Sequence, residues 1–250
     1  MQNTNNNPTI SIIIPCYNEE KLIAENFNHI LNQTVFPEEV IFVDNNSTDN
    51  SIKIAKSFIN KFKEKGIDFK ILNEKIQGQT SARILGFGQA KSELIGTLDT
   101  DSLISRNWVK VAKDIFAKNK KINLISGPFI FVNLNFFQKF TINICFILYT
   151  FSNFFFLMWG CNRVFRKKIY NKLNGLKDYN EASKKLNLKY VYDDNFLSEK
   201  FKRFGKVKFV WKLKAKGQGR TGTGSVSNRT IDQPISFFKI KKFVAQKNNF

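Results

Sequence analysis

Asp99 and Asp101 stand one residue apart at the end of an apolar run, Leu94-Ile95-Gly96-Thr97-Leu98. In an extended segment, residues two apart point to the same face, so both carboxylates converge on one small region. Two anions held together repel unless a cation or protons lie between them. A hard divalent cation suits such a pair, because it often takes one or two carboxylates plus substrate phosphates. Alone, the pair reads equally as a turn acid and a helix-start acid.

The elements that must position this pair alternate along the first half of the chain. Strand-like runs fall at 9–14, 40–43, 69–72, 94–98 and 122–125. Helix-like periodicity covers 19–33, 49–65, 80–90 and 108–117. Such alternation predicts an α/β fold with a mostly parallel sheet flanked by helices. Ligands of such sheets bind at the carboxyl ends of the strands. The polar ends Pro15-Cys16-Tyr17-Asn18-Glu19, Asp44-Asn45-Asn46-Ser47-Thr48-Asp49 and Asp99-Thr100-Asp101 therefore share one edge.

Those three segments, with Ser11-Ile12-Ile13-Ile14 before the first, resemble the family 2 glycosyltransferases. The resemblance runs roughly over 9–210. It implies a GT-A, Rossmann-like fold, a nucleotide-sugar donor (UDP-sugar favoured, GDP-sugar second) and Mg²⁺ or Mn²⁺. By the same resemblance Tyr17 packs on the base, Pro15 and Glu19 shape its loop, and Asp44 and Asn45 read the base edge. Asp101 matches the metal ligand. Asp99 lies closer to the ribose or donor sugar and reaches the metal through water. Arg83 matches a basic residue that reaches the diphosphate; as a bare residue it reads equally as a surface helix side chain.

Tyr192-Asp193-Asp194-Asn195-Phe196-Leu197 resembles the family's acidic catalytic segment, with Asp194 as general base and Asp193 beside it. A base there implies single displacement with inversion on a hydroxyl acceptor, a membrane-linked glycan or lipid of cell-envelope polysaccharide synthesis. Transfer to a polyprenyl phosphate is the rival, since a phosphate nucleophile needs no base. Trp159-Gly160-Cys161-Asn162-Arg163 resembles the segment bordering the two sugars.

The formal charge is +20, and residues 200–250 carry 14 Lys or Arg against one acid, Asp232. Acidic loops along the binding edge repel phosphates unless a metal intervenes, which speaks against a nucleic-acid partner. Residues 140–162 hold no charge, and 16 of those 23 are apolar. One crossing would put Asp101 and Asp194 on opposite sides of a membrane, and two crossings need more apolar residues than are present. An apolar helix at 136–159 lying in the interface plane fits best, with burial against the sheet as the alternative. Gly217-Gln218-Gly219-Arg220-Thr221-Gly222 has no helix after it and reads as part of a basic loop, 214–223, where Arg220 either closes on the diphosphate or sits in a linker. Phe237 to Phe243 mixes aromatics with lysines and suits an anionic membrane surface. The three cysteines lie in apolar surroundings, the N-terminus has no secretory pattern, and a cytoplasmic, membrane-peripheral protein is expected. The chain divides as 1–8, a catalytic domain at 9–210, and a basic tail at 211–250.

Overall fold

A computed structural model of the chain describes residues 7–132, 161–186, 193–217 and 239–245. The order is β1 (Ile10–Cys16), α1 (Ile23–Leu31), β2 (Glu39–Asp44), α2 (Ser51–Ser57), α3 (Ile59–Glu64), β3 (Asp68–Asn73), α4 (Gln79–Gln89), β4 (Leu94–Leu98), β5 (Leu103–Ile104), α5 (Trp108–Lys118), β6 (Ile122–Ser126) and β7 (Phe129–Phe131). It continues with β8 (Asn162–Arg166), α6 (Lys167–Lys172), α7 (Tyr179–Leu186), α8 (Asp193–Lys202), β9 (Lys206–Phe209) and β10 (Ala215–Gly217). Residues 239–245 are helical.

The main sheet has the order β3-β2-β1-β4-β8-β6-β9. Its pairs are parallel except where β8 lies antiparallel between β4 and β6. The expected α/β architecture is thus present as a mixed, mostly parallel sheet. The chain steps outward from β1 to β3, then returns to place β4 on the other side of β1. That reversal opens a crevice outside the carboxyl ends of β1 and β4.

β1, β2 and β4 are buried along their whole length. Both faces are covered, so these strands read as unbroken apolar runs rather than alternating ones. Ile12, Ile14 and Phe42 join Phe27, Phe62 and Trp108 in one core. Ile13, Ile41 and Val43 face the other, with Ala82, Phe87, Phe196 and Phe201. Gly86 lets α4 lie directly on β1, since a Cβ there would come within 2.3 Å of Ile13 Cγ2.

Three expectations change. The helix expected at 49–65 breaks at Phe58, whose N–H bonds the carbonyl of Ala55 at i−3, while the Ser57 hydroxyl donates to the Ile54 carbonyl at 2.7 Å. A serine that bonds backward in this way competes with the helical ladder. Residues 215–217, expected in a loop, form β10 between β5 and β7 in a small second sheet. In the helix 239–245, Ile240, Phe243 and Val244 lie in the core, Phe243 beside Phe196, while the lysines at 239, 241 and 242 are exposed. Of the aromatics expected on a membrane, Phe243 is packed internally, and Phe237 and Phe238 lie outside the described residues. Among the described residues no helix is long and apolar enough to cross a membrane. The apolar stretch 136–159 and Arg220 lie outside the described residues.

Candidate active site

The loops after β1 and β2 are stitched together. Asn18 N–H donates to Ser47 Oγ, Thr48 N–H to Asn18 Oδ1, Glu19 N–H to Ser51 Oγ and Glu20 N–H to Asp49 Oδ2. Tyr17 stands half exposed at the end of β1. Pro15 fits inside a strand because β4 pairing stops at Ile13, where its missing N–H costs no ladder bond. Its carbonyl accepts from Thr100 Oγ1 at 3.0 Å, tying β1 to the acidic loop.

Asp44 is 1% exposed, and its Oδ2 accepts from Asn73 Nδ2 at 3.1 Å and Ser47 N–H at 3.3 Å. Its Oδ1 is buried with no hydrogen-bond partner among the described residues. A buried carboxylate oxygen without a donor is costly, and a ligand N–H would relieve that cost. Asn45 is engaged by the protein's own backbone. Its Nδ2 donates to the carbonyls of Glu74 and Ile76, and its Oδ1 accepts from Gly78 N–H at 2.7 Å. Both amide protons are used within the protein, so Asn45 clasps the 74–78 turn. Gly78 closes that turn at φ 140°, a value that disfavours a side chain.

Several residues outside the acidic motif shape the loop after β4. Asn26 Nδ2 donates to the carbonyls of Ser102 at 2.7 Å and Asp99 at 3.2 Å. Asp99 N–H donates to Ser102 Oγ, and Asp99 Oδ1 accepts from Gln79 Nε2 at 2.8 Å. Gly217 of β10 packs on the Asp101 carbonyl, which a Cβ would approach to 2.6 Å.

Arg83 departs from its reading as a surface helix residue. It is 3% exposed and so is not a surface side chain. Its Nη2 donates to Asp99 Oδ1 at 2.6 Å, and its Nη1 to both oxygens of Asp193 at 2.8 Å. Arg163, fully buried on β8, adds a longer contact to Asp193 at 3.4 Å. Burial pushes the Asp193 carboxyl up, but Arg83 and Arg163 outweigh it and hold the group below the usual range. Asp194 goes the other way: burial, then the charge of Asp193, raise it. Asp193 is therefore the poorer proton acceptor of the two.

Cys161, expected in apolar surroundings, is half-buried within reach of the charges of Asp99, Asp101 and Asp194. Burial and those acids push its thiol up, so it stays protonated. Burial pushes the Cys16 thiol up to about 11. His29 bonds the Ile104 carbonyl through Nδ1.

Among the described residues no group of three His, Cys, Asp or Glu forms a ligand cluster. Asp99 and Asp101 offer carboxylate oxygens only. That set suits a hard cation completed by substrate phosphate and water, as Mg²⁺ and Mn²⁺ prefer.

The family profile described as "Glycosyl transferase family 2" matches residues 11–174. A curated relative, the minor teichoic acid biosynthesis protein GgaA of Bacillus subtilis, is 33% identical over 123 residues, 47% of this chain and 27% of the relative. The chain thus spans about a quarter of that relative's length. The crystal structure of S. aureus TarS 1–349 in complex with UDP superposes with TM-score 0.63 at 18% identity, over 95% of this chain and 64% of that one. The mannosyltransferase PcManGT from Pyrobaculum calidifontis, in complex with GDP-Man and Mn²⁺, gives 0.70 at 17%, over 97% and 65%. Both have the GT-A architecture seen in this sheet. With the profile covering more than half of its length, the chain belongs to glycosyl transferase family 2.

Proposed function

We propose that the protein is a metal-dependent, inverting glycosyltransferase that moves a hexosyl or N-acetylhexosaminyl group from a nucleoside-diphosphate sugar to a hydroxyl acceptor. One observation carries this reading. Arg83 ties Asp99, at the donor end of β4, to Asp193 beside Asp194, so a donor loop and an acid of raised proton affinity share one surface. The family profile ends at residue 174, so the Asp193–Asp194 end of this juxtaposition lies outside it.

The nucleotide lies along the carboxyl ends of β1, β2 and β4. Tyr17 offers its exposed ring to the base. The buried Asp44 Oδ1 accepts an imino N–H, which uracil and guanine both present. Asp101 and Asp99 would hold Mg²⁺ or Mn²⁺, which offsets negative charge on the departing diphosphate. Asp194 takes the proton of the acceptor hydroxyl as its oxygen bonds the anomeric carbon and the bond to the diphosphate breaks. One displacement inverts the anomeric centre. A UDP-sugar is the favoured donor, with a GDP-sugar second; TarS with UDP and PcManGT with GDP-Man and Mn²⁺ support both as candidates. The acceptor is a glycan or lipid-linked glycan of the cell envelope, a reading supported by the teichoic acid assignment of the curated relative. We place the reaction at the cytoplasmic face of the membrane, on the strength of the basic surface.

Asp194→Asn tests the base. Nucleotide binding should stay near wild type while turnover falls ~10²–10⁴-fold. Unchanged turnover would overturn the base and favour a phosphate acceptor.

A further inference from the structure

We propose that Arg83 is a positioning residue that sets the base helix in register with the donor loop, a proposal that rests on the reading of Asp194 as base. One guanidinium spans two elements: Asp99 after β4 at 2.6 Å, and Asp193 in the first turn of α8 at 2.8 Å to both oxygens. It reaches them from inside α4, where it is buried. A planar fork can hold two carboxylates at a fixed separation, whereas a lysine ammonium is a single compact charge.

The two ends of this strut are not equally supported. On the donor side, Gln79 also bonds Asp99 Oδ1, and Asn26 and Ser102 pin the loop backbone. On the base side, the other cation on Asp193 among the described residues is Arg163, at 3.4 Å. Weakening Arg83 therefore frees the start of α8 far more than the donor loop. The next residue is Asp194, whose carboxylate must meet the acceptor hydroxyl. A displacement of about 1 Å at such a group can cost ~10²-fold in rate. The expected signature is a loss in kcat with KM and donor binding held.

The experiment is a double-mutant cycle on the full chain with Arg83→Lys and Asp194→Asn. Turnover is read as nucleoside diphosphate released from UDP-N-acetylglucosamine or GDP-mannose with Mn²⁺. Binding is read by calorimetry with UDP and Mn²⁺ or GDP and Mn²⁺. Arg83→Lys alone should lower kcat ~10–100-fold with nucleotide affinity within about threefold. In the Asp194→Asn background the same substitution should cost less than about threefold, because a strut acting through the base has nothing left to position. Multiplicative losses, or a loss confined to nucleotide affinity, would overturn the proposal while leaving the base intact. No effect of Asp194→Asn by itself would instead remove the underlying reading. If Arg83→Lys does not fold, Asp193→Asn, which keeps the side-chain volume and weakens the same clamp, should show the same non-additivity.

Discussion

Asp193 and Asp194 are adjacent and chemically identical, and their surroundings push them in opposite directions. Asp193 is held ionised by two arginines, while Asp194 carries the burial and the repulsion. Neighbouring acids driven apart in this way are the usual mark of divided roles. The sign of the pH dependence follows. A base acts in its ionised form, and a raised value is lost sooner on acidification. The logarithm of kcat/KM should fall with unit slope on the acid side, with a midpoint above that of an ordinary aspartate. Asp194→Asn should abolish that limb. A wild-type profile flat down to the ordinary aspartate range would contradict the assignment. Little of this division was legible beforehand. The D-x-D pair and the two acids are visible as residue types, but the partner that separates Asp193 from Asp194 lies 110 positions away. Asn45 shows the same difficulty: its carbonyl partners are backbone, which carries no sequence signal.

At the scale of elements, α1 buries Ile23, Asn26, Phe27 and Ile30 on one stripe. The asparagine in that stripe is a signal the sequence does carry, because a polar group there needs buried partners. Its partners are the carbonyls of the β4 loop. Asn26→Ala leaves them without their donor and should cost about 1–3 kcal/mol of stability. It should also loosen Mn²⁺-dependent nucleotide binding. Chemical denaturation and calorimetry would check both; wild-type values in the two measurements would sink this role. The strands were legible because a doubly covered parallel strand is an apolar run. The break at Phe58 and strand β10 were not. The first turns on a serine back-bond, and the second on pairing with β5 and β7, more than 80 positions earlier.

For the whole molecule, the charge of +20 is the dominant long-range feature. The exposed lysines of the 239–245 helix contribute to it, while the apolar side of that helix is already used in the core. The apolar stretch 140–159 is the anchor the sequence suggests. One marginal anchor rarely holds a protein, so charge and apolar contact should act together. Co-sedimentation should show binding to anionic but not neutral vesicles. Salt should weaken it without eliminating it, since screening over about 8 Å acts on the lysines and not on the apolar contact. Replacing Phe154, Phe155 and Phe156 by Ser should reduce it further. Equal, negligible pelleting in every condition would contradict a membrane-peripheral enzyme.

The central claim is that a nucleotide-sugar binds through a divalent cation at the loop after β4. Calorimetry with a panel of UDP- and GDP-sugars, with Mn²⁺ or with excess chelator, tests it without knowledge of the acceptor. Wild type should bind at least one donor only when the cation is present, and Asp101→Ala should lose that binding. Binding that survives both the chelator and Asp101→Ala, or no binding of any donor, would contradict the account.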